Sequence, residues 1–236
     1  GAATPVVLLS STINSPTSLD IINQLLVKFP GSRHVMVDAV SYDGMLSANL
    51  ASYGKRMIPS YRFDKAKTIV GIGADFLGTW LSPIEFASQY AVGKKINESA
   101  PSMSHHIQFE TVASLSGSNA DDRYLHRPSE TGAIALALLS AINGQGATNI
   151  TDAALKTGIE KTAKELLANK GASLVVCGSN DMNVQVIVNA INEAIGANGN
   201  TIDWSIAAKY KQGNDADFSK LLDDMNAGSV GTLIVV

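Results

Sequence analysis

Residues 68–80 read Thr-Ile-Val-Gly-Ile-Gly-Ala-Asp-Phe-Leu-Gly-Thr-Trp, an apolar β-type run that passes directly into a glycine-rich turn. In an open parallel sheet such turns lie at the carboxyl ends of strands, where ligands bind. The stretch therefore predicts an α/β protein with a ligand-binding edge. Few residues that would carry out chemistry at such an edge are present, so the pattern favours a binding scaffold over a working enzyme.

Similar runs predict strands elsewhere in the chain, at residues 5–9, 34–40, 107–110, 173–177 and 232–236. Between them lie helical patterns at residues 18–28, 83–90, 130–142, 151–170, 182–195 and 217–226. Alternating strands and helices are typical of a Rossmann-like, doubly wound fold with a mostly parallel sheet. The glycine-rich residues 143–147 separate two such series, which predicts two lobes, residues 1–147 and 148–236.

Composition excludes several classes of function. Of the 236 residues only 17% are charged, the net charge is −3, and no stretch is rich in Lys or Arg, which disfavours nucleic acid or an anionic membrane as a partner. The single cysteine, Cys177, excludes a disulfide, a cysteine zinc site or an iron–sulfur cluster held within this chain. The longest apolar run, residues 133–142, is about half the roughly 20 residues that a membrane span needs.

Both ends of the sequence favour a piece of a longer polypeptide. The first three residues resemble a trimmed linker, and the last six end on an apolar strand without a following helix.

Nucleotide motifs are absent. The glycines at 71, 73 and 78 do not fit G-x-G-x-x-G, because the last interval is too long, and no glycine precedes Lys and then Ser or Thr. The hydroxyl-rich residues 10–15 and the loop at residues 73–75 could offer backbone N–H groups to an anion. Such residues also cap helices and satisfy turns, which is the interpretation we favour.

The sequence contains no clear motif for a metal site or for a hydrolase. His105 and His106 are followed by acidic residues and His126, but adjacent histidines on a strand point to opposite faces and cannot both bind one ion comfortably. No G-x-S-x-G sequence occurs. Cys177, before Gly178, is expected to be a buried structural residue.

Several longer stretches carry a family resemblance: residues 11–16, 38–42, 56–64, 73–83, 115–121 and 224–228. Together they resemble the molybdopterin oxidoreductase-like large subunit of bacterial alternative complex III, a quinol-oxidising respiratory complex. The resemblance places the chain in the two central α/β lobes of the molybdopterin oxidoreductase (DMSO reductase-like) fold, which cradle two pterin guanine dinucleotides in catalytic relatives.

The resemblance implies an eroded cofactor site. The vestigial cofactor-binding residues would be those of two glycine loops, Gly73, Ala74, Asp75, Gly178, Ser179 and Asn180. Asp75 stands where relatives carry Asn, which adds negative charge near a diphosphate. Residues 110–112 read Glu-Thr-Val where relatives carry Asp-Pro-Arg. The metal-ligand position falls near Ser41, but the residues after it do not continue the active pattern.

We therefore expect a non-catalytic structural module of a respiratory electron-transfer complex, on the periplasmic face of the inner membrane. Its partners would be the iron–sulfur domain of the same polypeptide and other subunits of the complex. The chain itself would hold no cofactor, no catalytic residue and no metal, and iron–sulfur clusters would lie elsewhere in the full-length protein. One alternative is a fragment of an active oxidoreductase that binds molybdopterin guanine dinucleotide, with Ser41 as the molybdenum ligand. Another is a small-molecule-binding α/β module without a redox role.

Overall fold

The structure, a computed structural model, describes residues 5–96, 98 and 101–236. The first residues, where we expected a trimmed linker, lie outside this description. The chain divides into two compact units, one formed by residues 1–46 and 209–236 and the other by residues 47–208. All six predicted strands and all six predicted helices are present, and the fold is α/β with mostly parallel sheets.

The first unit contains a three-stranded parallel sheet with the strand order β2-β1-β9. Its elements are β1 (Val6–Ser10), α1 (Pro16–Val27), β2 (Arg33–Met36), α8 (Asp215–Asn226) and β9 (Thr232–Val235). Val7, Val35 and Leu221 form the centre of its core, so α8 packs its apolar face on the sheet. Arg33 and Asp224 form an ion pair between β2 and α8, at 2.7 Å.

The second unit is built on a four-stranded parallel sheet with the order β6-β5-β4-β7. The strands are β4 (Thr68–Ile72), β5 (His105–Glu110), β6 (Asp122–Leu125) and β7 (Ser173–Cys177). Every residue of β4 and β7 is buried, which explains their continuous apolar sequence. The chain adds β5 and β6 on one side of β4 and then crosses to the other side for β7. This reversal creates a switch point between β4 and β7.

Helices of the second unit follow the strands. They are α3 (Pro83–Lys94), α4 (Leu115–Ser118), α5 (Thr131–Ile142), α6 (Ala153–Ala168) and α7 (Met182–Ala194). The apolar α5 packs against both α6 and α7. None of the helices in the described part of the chain combines the length and the apolar character that a membrane crossing requires.

Five elements were not predicted from the sequence: β6 and α4, described above, and the three that follow. Strands β3 (Ile58–Tyr61) and β8 (Ile202–Ala208) form an antiparallel pair with an irregularity between Pro59 and Ser60. Helix α2 covers Asp43–Tyr53. Glycine, serine and asparagine interrupt the apolar pattern of α2, and Pro59 interrupts that of β3, so neither segment shows a clear period in the sequence.

The predicted lobe boundary between residues 147 and 148 falls inside the second unit. β4 pairs directly with β7, with Val70 opposite Val175, so strands from both sides of that boundary belong to one sheet. The division between the two compact units instead follows the first sheet, to which the last strand of the chain returns. The glycine-rich residues 143–147 do not reveal that the last strand pairs with the first sheet.

Side chains of α7 form hydrogen bonds with the backbone groups on the outer edge of β7. Asn192 accepts a hydrogen bond from the Val175 N–H at 3.1 Å and donates one to the Val175 carbonyl oxygen at 2.8 Å. Gln185, two turns earlier on the same helix, donates to the carbonyl oxygens of Cys177 and Ser179. The helix therefore takes the place of a further strand along this edge, where an unpaired backbone would otherwise be buried.

Candidate functional site

The two loops predicted from the sequence as a vestigial cofactor site lie side by side at the switch point. Gly73 follows β4 and donates its N–H to the Phe109 carbonyl oxygen, whereas Gly178 follows β7 and donates to the Ile72 carbonyl oxygen. A Cβ at Gly178 would overlap the Gly73 carbonyl oxygen. The loops are therefore in direct backbone contact, and only glycine at 178 permits that approach.

Asp75 ties its loop to the one after β5. One carboxylate oxygen accepts hydrogen bonds from the Ser116 N–H and hydroxyl, both at 2.9 Å, and the Ser116 hydroxyl oxygen accepts the Leu77 N–H. The carboxylate leaves no room for a Cβ at Gly78. The Asp75 side chain thus has a structural role in the loop itself.

Residues on the β7 side are also bonded within the chain. The Ser179 hydroxyl accepts the Asp181 N–H at 3.1 Å, and Asp181 caps α7 by accepting the N–H groups of Asn183 and Val184. Asn180 is exposed beside them. Burial raises the pKa of the Cys177 thiol to about 11, which keeps it protonated and unreactive at neutral pH.

The loop after β5 is occupied by an internal ion pair. Glu110 is buried, receives the Ser114 hydroxyl hydrogen bond at 2.5 Å, and forms an ion pair with Arg123. The carboxylate lies under the short helix α4, where a Cβ at Gly117 would overlap it. This carboxylate is therefore committed to holding the loop.

In the first unit, Asp38 organises the strand ends. It accepts hydrogen bonds from the Thr12 N–H and hydroxyl, at 3.0 and 2.6 Å, and from the Gly213 N–H at 2.9 Å. Burial raises the pKa of Asp38, but these hydrogen bonds and the charge of Lys211 outweigh it and hold the pKa below its ordinary value. Ser41, the predicted ligand under the alternative, donates to Asp215 at 2.8 Å and accepts the Asp43 N–H.

A cavity of about 620 Å³ lies at the carboxyl end of β6, away from the switch point. The end of β6, the start of α5 and the loop into α6 enclose it. Its apolar lining consists of Leu125, Ala133, Ile134, Ile150 and Leu155. Its polar lining consists of His126, Arg127, Glu130, Asn149, Thr151 and Asp152.

His126 is the buried polar residue of this cavity, with 8% of its surface exposed. The Thr131 hydroxyl forms a hydrogen bond with the His126 Nε2 at 3.1 Å and lies 3.0 Å from the Pro128 carbonyl oxygen. Burial lowers the pKa of His126 below its ordinary value, although the Glu130 and Glu110 carboxylates act in the opposite direction. The lowered pKa favours the neutral imidazole at pH 7.

Sequence reasoning named His126 only as a member of an unlikely metal cluster and missed the other polar residues of the cavity. Residues typical of helix starts occur twice here: Pro128 with Glu130, and Thr151 with Asp152. In the second pair Asp152 is the cap, because it accepts the Leu155 N–H at 2.8 Å. Both predict a helix start, but neither indicates that the two starts border one cavity.

The two adjacent histidines point to different surroundings, as strand alternation requires. His105 contacts the Glu165 carboxylate at 2.7 Å, whereas His106 is buried between Tyr90 and Gln108. Among residues 5–96, 98 and 101–236, no group of three or more His, Cys, Asp or Glu side chains is arranged to hold a metal ion.

Comparison with solved structures finds a likeness over the whole chain. It aligns with one chain of the formyltransferase/hydrolase complex FhcABCD from Methylorubrum extorquens, solved in complex with methylofuran, with a TM-score of 0.51 and 14% sequence identity. The alignment covers 100% of this chain and 54% of that chain, so the present chain spans about half of its length. No protein-family model and no curated protein matches the sequence. At this identity the likeness establishes the fold alone.

These findings correct the predicted family. The resemblance to a molybdopterin oxidoreductase and to alternative complex III is wrong, and so are the respiratory function and the electron-transport role predicted from it, because the aligned chain belongs to a formyltransferase/hydrolase complex. The short stretches behind the resemblance have local structural roles instead. Asp75 joins two loops and Asp224 pairs with Arg33.

Other predictions depended on that resemblance alone. The periplasmic location, the clusters expected elsewhere in the polypeptide and the vestigial pterin contacts of the two glycine loops remain untested predictions. The structure shows only that those loops adjoin and are bonded within the chain.

Proposed function

We propose that this chain is a subunit, or part of a subunit, of a multi-subunit enzyme that transfers or hydrolyses a formyl group. The observation that carries the proposal is the alignment of its entire length with half of one chain from such a complex. Both units take part in that alignment, so the support does not come from one generic βα motif.

The strand ends support a role that needs partners. Asp38, Asp75 and Glu110 are each bonded to donors of the chain itself, which leaves these carboxylates committed to loop structure. A reaction at these edges would require groups from another subunit or another part of the polypeptide. The partner class is accordingly the remaining subunits of the formyl-handling enzyme.

The outer surface of α3 supports the same role. Ile84 is 88% exposed, Val92 is 62% exposed, and Ile96, just after the helix, is 61% exposed. Phe86 and Tyr90 are buried on the opposite side of the helix. Neighbouring exposed apolar side chains are typical of surfaces that another protein covers.

The test is native purification of the tagged polypeptide from cells that produce it, with mass spectrometry of the complex and an assay of formyl release or transfer. We expect a complex with stoichiometric partner subunits and formyl-handling activity. Recovery of the polypeptide alone, or a stoichiometric complex without that activity, would overturn the proposal.

Substitutions on the exposed side of α3 test whether this surface binds partner subunits. Ile84→Glu and Val92→Lys should release partner subunits while the fold, measured by circular dichroism, is retained. Leu167→Glu is the matched control, because Leu167 is an exposed apolar residue on a different helix, α6. Equal loss of partners in the control would show that α3 is not the contact surface.

A further inference from the structure

The cavity at the carboxyl end of β6 has the size and the mixed lining of a small-molecule site. Its volume of about 620 Å³ lies within the range of roughly 300–1,000 Å³ that is usual for ligand pockets. Ala133 and Ile150 are partly exposed in its lining and give it an apolar floor, behind which Ile134 and Leu155 are buried. The lining contains no Phe, Tyr or Trp, so the face of a sugar ring would find no aromatic partner.

The rim of the cavity carries one cation that is not committed elsewhere. The Arg127 guanidinium forms no ion pair or side-chain hydrogen bond within the part of the chain that the structure describes, whereas Arg33, Arg62 and Arg123 each pair with a carboxylate. An exposed guanidinium beside an apolar floor is suited to a carboxylate, which it can bind through two parallel N–H groups.

The rim also carries two carboxylates with one free oxygen each. Glu130 uses Oε2 to accept the Arg127 backbone N–H at 2.8 Å, and Asp152 uses Oδ1 to accept the Leu155 N–H. Their other oxygens have no partner among the described residues. These oxygens can accept hydrogen bonds from an ammonium group, and the rim with one cation and two anions favours a ligand that carries positive charge.

His126 adds a buried polar atom without a partner. Its Nδ1 has no hydrogen-bond partner among residues 5–96, 98 and 101–236, although Nε2 lies against Thr131. A buried polar atom without a partner is costly, and a polar group of a ligand that reached it would remove that cost.

We propose that this cavity binds a zwitterionic compound with an apolar body, namely an α-amino acid or a dipeptide with an aliphatic side chain. Its carboxylate contacts Arg127, its ammonium group contacts Glu130 or Asp152, and its side chain lies on Ala133 and Ile150. The site lies in the second unit alone and does not depend on the proposed function.

The test uses the full chain with L-leucyl-L-leucine and L-leucine as probes, and L-leucinamide and N-acetyl-L-leucine as analogues that each lack one charge. Binding is measured by calorimetry and by the imidazole carbon–proton signals of ¹³C-histidine-labelled protein, with His126 assigned through His126→Gln. We expect leucine or the dipeptide to shift the His126 signal, and each analogue to bind about tenfold more weakly, since a charged contact contributes roughly that factor.

Three variants assign the charges. Arg127→Gln should weaken leucine binding without weakening leucinamide binding further. Either Glu130→Gln or Asp152→Asn should weaken leucine binding without further effect on N-acetyl-leucine binding, and the one that does so identifies the carboxylate that contacts the ammonium group. Glutamine at 130 can still accept the Arg127 N–H, so the local fold is retained. Lys156→Gln, which removes an exposed cation outside the cavity lining, is the control and should change neither affinity.

Three outcomes would overturn the proposal. The first is no response of His126 to either zwitterion at millimolar concentration. The second is equal binding of leucine and its two analogues. The third is a His126 response to ribose or glucose but not to leucine, which would identify a polyol site instead.

Discussion

At the scale of single residues, acidic side chains at the strand ends connect loops through hydrogen bonds. Asp75 receives two hydrogen bonds from Ser116 through a single oxygen. Asparagine at this position presents the same oxygen, whereas alanine leaves the Ser116 N–H and hydroxyl without their acceptor. We therefore expect the acceptor oxygen to contribute more to stability here than the negative charge.

We predict that Asp75→Asn changes the free energy of unfolding by less than about 1 kcal/mol, whereas Asp75→Ala lowers it by about 1–3 kcal/mol. Both changes in the free energy of unfolding can be measured by urea unfolding monitored by tryptophan fluorescence. Both tryptophans, Trp80 and Trp204, lie in the second unit, so the signal reports on the unit that contains Asp75. Equal destabilisation by the two substitutions would show that the negative charge itself is needed.

Gly178 is required because the backbone of another loop, at Gly73, lies directly against it. A methyl group there would overlap the Gly73 carbonyl oxygen, so Gly178→Ala should lower the free energy of unfolding by about 1–3 kcal/mol. The control is Gly132→Ala on α5, where the added Cβ would lie 3.4 Å from Val184, in ordinary contact. The control should be neutral or stabilising by up to about 1 kcal/mol. A neutral Gly178→Ala would mean that the two loops can separate without cost.

At the scale of elements, α7 completes the sheet of the second unit. Its Asn192 pairs with both backbone groups of Val175, and Gln185 pairs with carbonyl oxygens further along the edge. The amphipathic pattern of the helix explains its apolar contacts, but the two amides decide which strand edge it covers. A helix of the same apolar pattern with leucine at 192 would leave two buried backbone groups unpaired.

Asn192→Leu should therefore lower the free energy of unfolding by about 3 kcal/mol, because a buried donor and a buried acceptor each lose their partner. Hydrogen exchange of the Val175 amide should accelerate in the same variant. Asn183→Ala, on the exposed side of the same helix, is the matched control and should stay within about 0.5 kcal/mol of the parent. An unchanged Val175 exchange rate would show that the edge is protected by burial alone.

At the scale of the whole molecule, buried neutral histidine makes stability depend on pH. Burial lowers the pKa of His106 to about 4, with Lys94 acting in the same direction and Gln108, Asp121 and Glu110 acting against it. Its ordinary pKa in the unfolded chain is about 6.5. The unfolded chain therefore binds the proton first, and the contribution of His106 to stability is lost as the pH falls from about 6.5 to 4.

We expect this loss to reach about 3 kcal/mol at pH 4 relative to pH 7. Urea unfolding of the parent and of His106→Gln across that range measures it, and the variant should show a shallower slope between pH 6.5 and 4. The comparison of slopes does not require equal stability at pH 7. Parallel slopes would assign the acid sensitivity to other groups, such as the paired carboxylates of Asp121 and Asp64.

The sequence by itself determined the fold class of this protein and most of its helices and strands, although it did not reveal β3, β6, β8, α2 or α4. Short continuous runs rich in Val and Ile, such as residues 68–72 and 173–177, favour strands buried on both faces, and the helices between them follow from apolar period and capping residues, so the α/β fold was predictable. Short motifs did not determine the family, because Asp75 and its neighbours satisfy local turns that many α/β proteins share.

The tertiary structure alone decided the domain division and the location of the candidate site. The return of β9 to the first sheet and the pairing of β4 with β7 join segments more than 100 residues apart, and no local pattern encodes such pairing. His126, Arg127, Glu130 and Asp152 face one cavity because two helices begin beside the end of β6. Local sequence specifies where each helix starts, but long-range packing brings the two starts together.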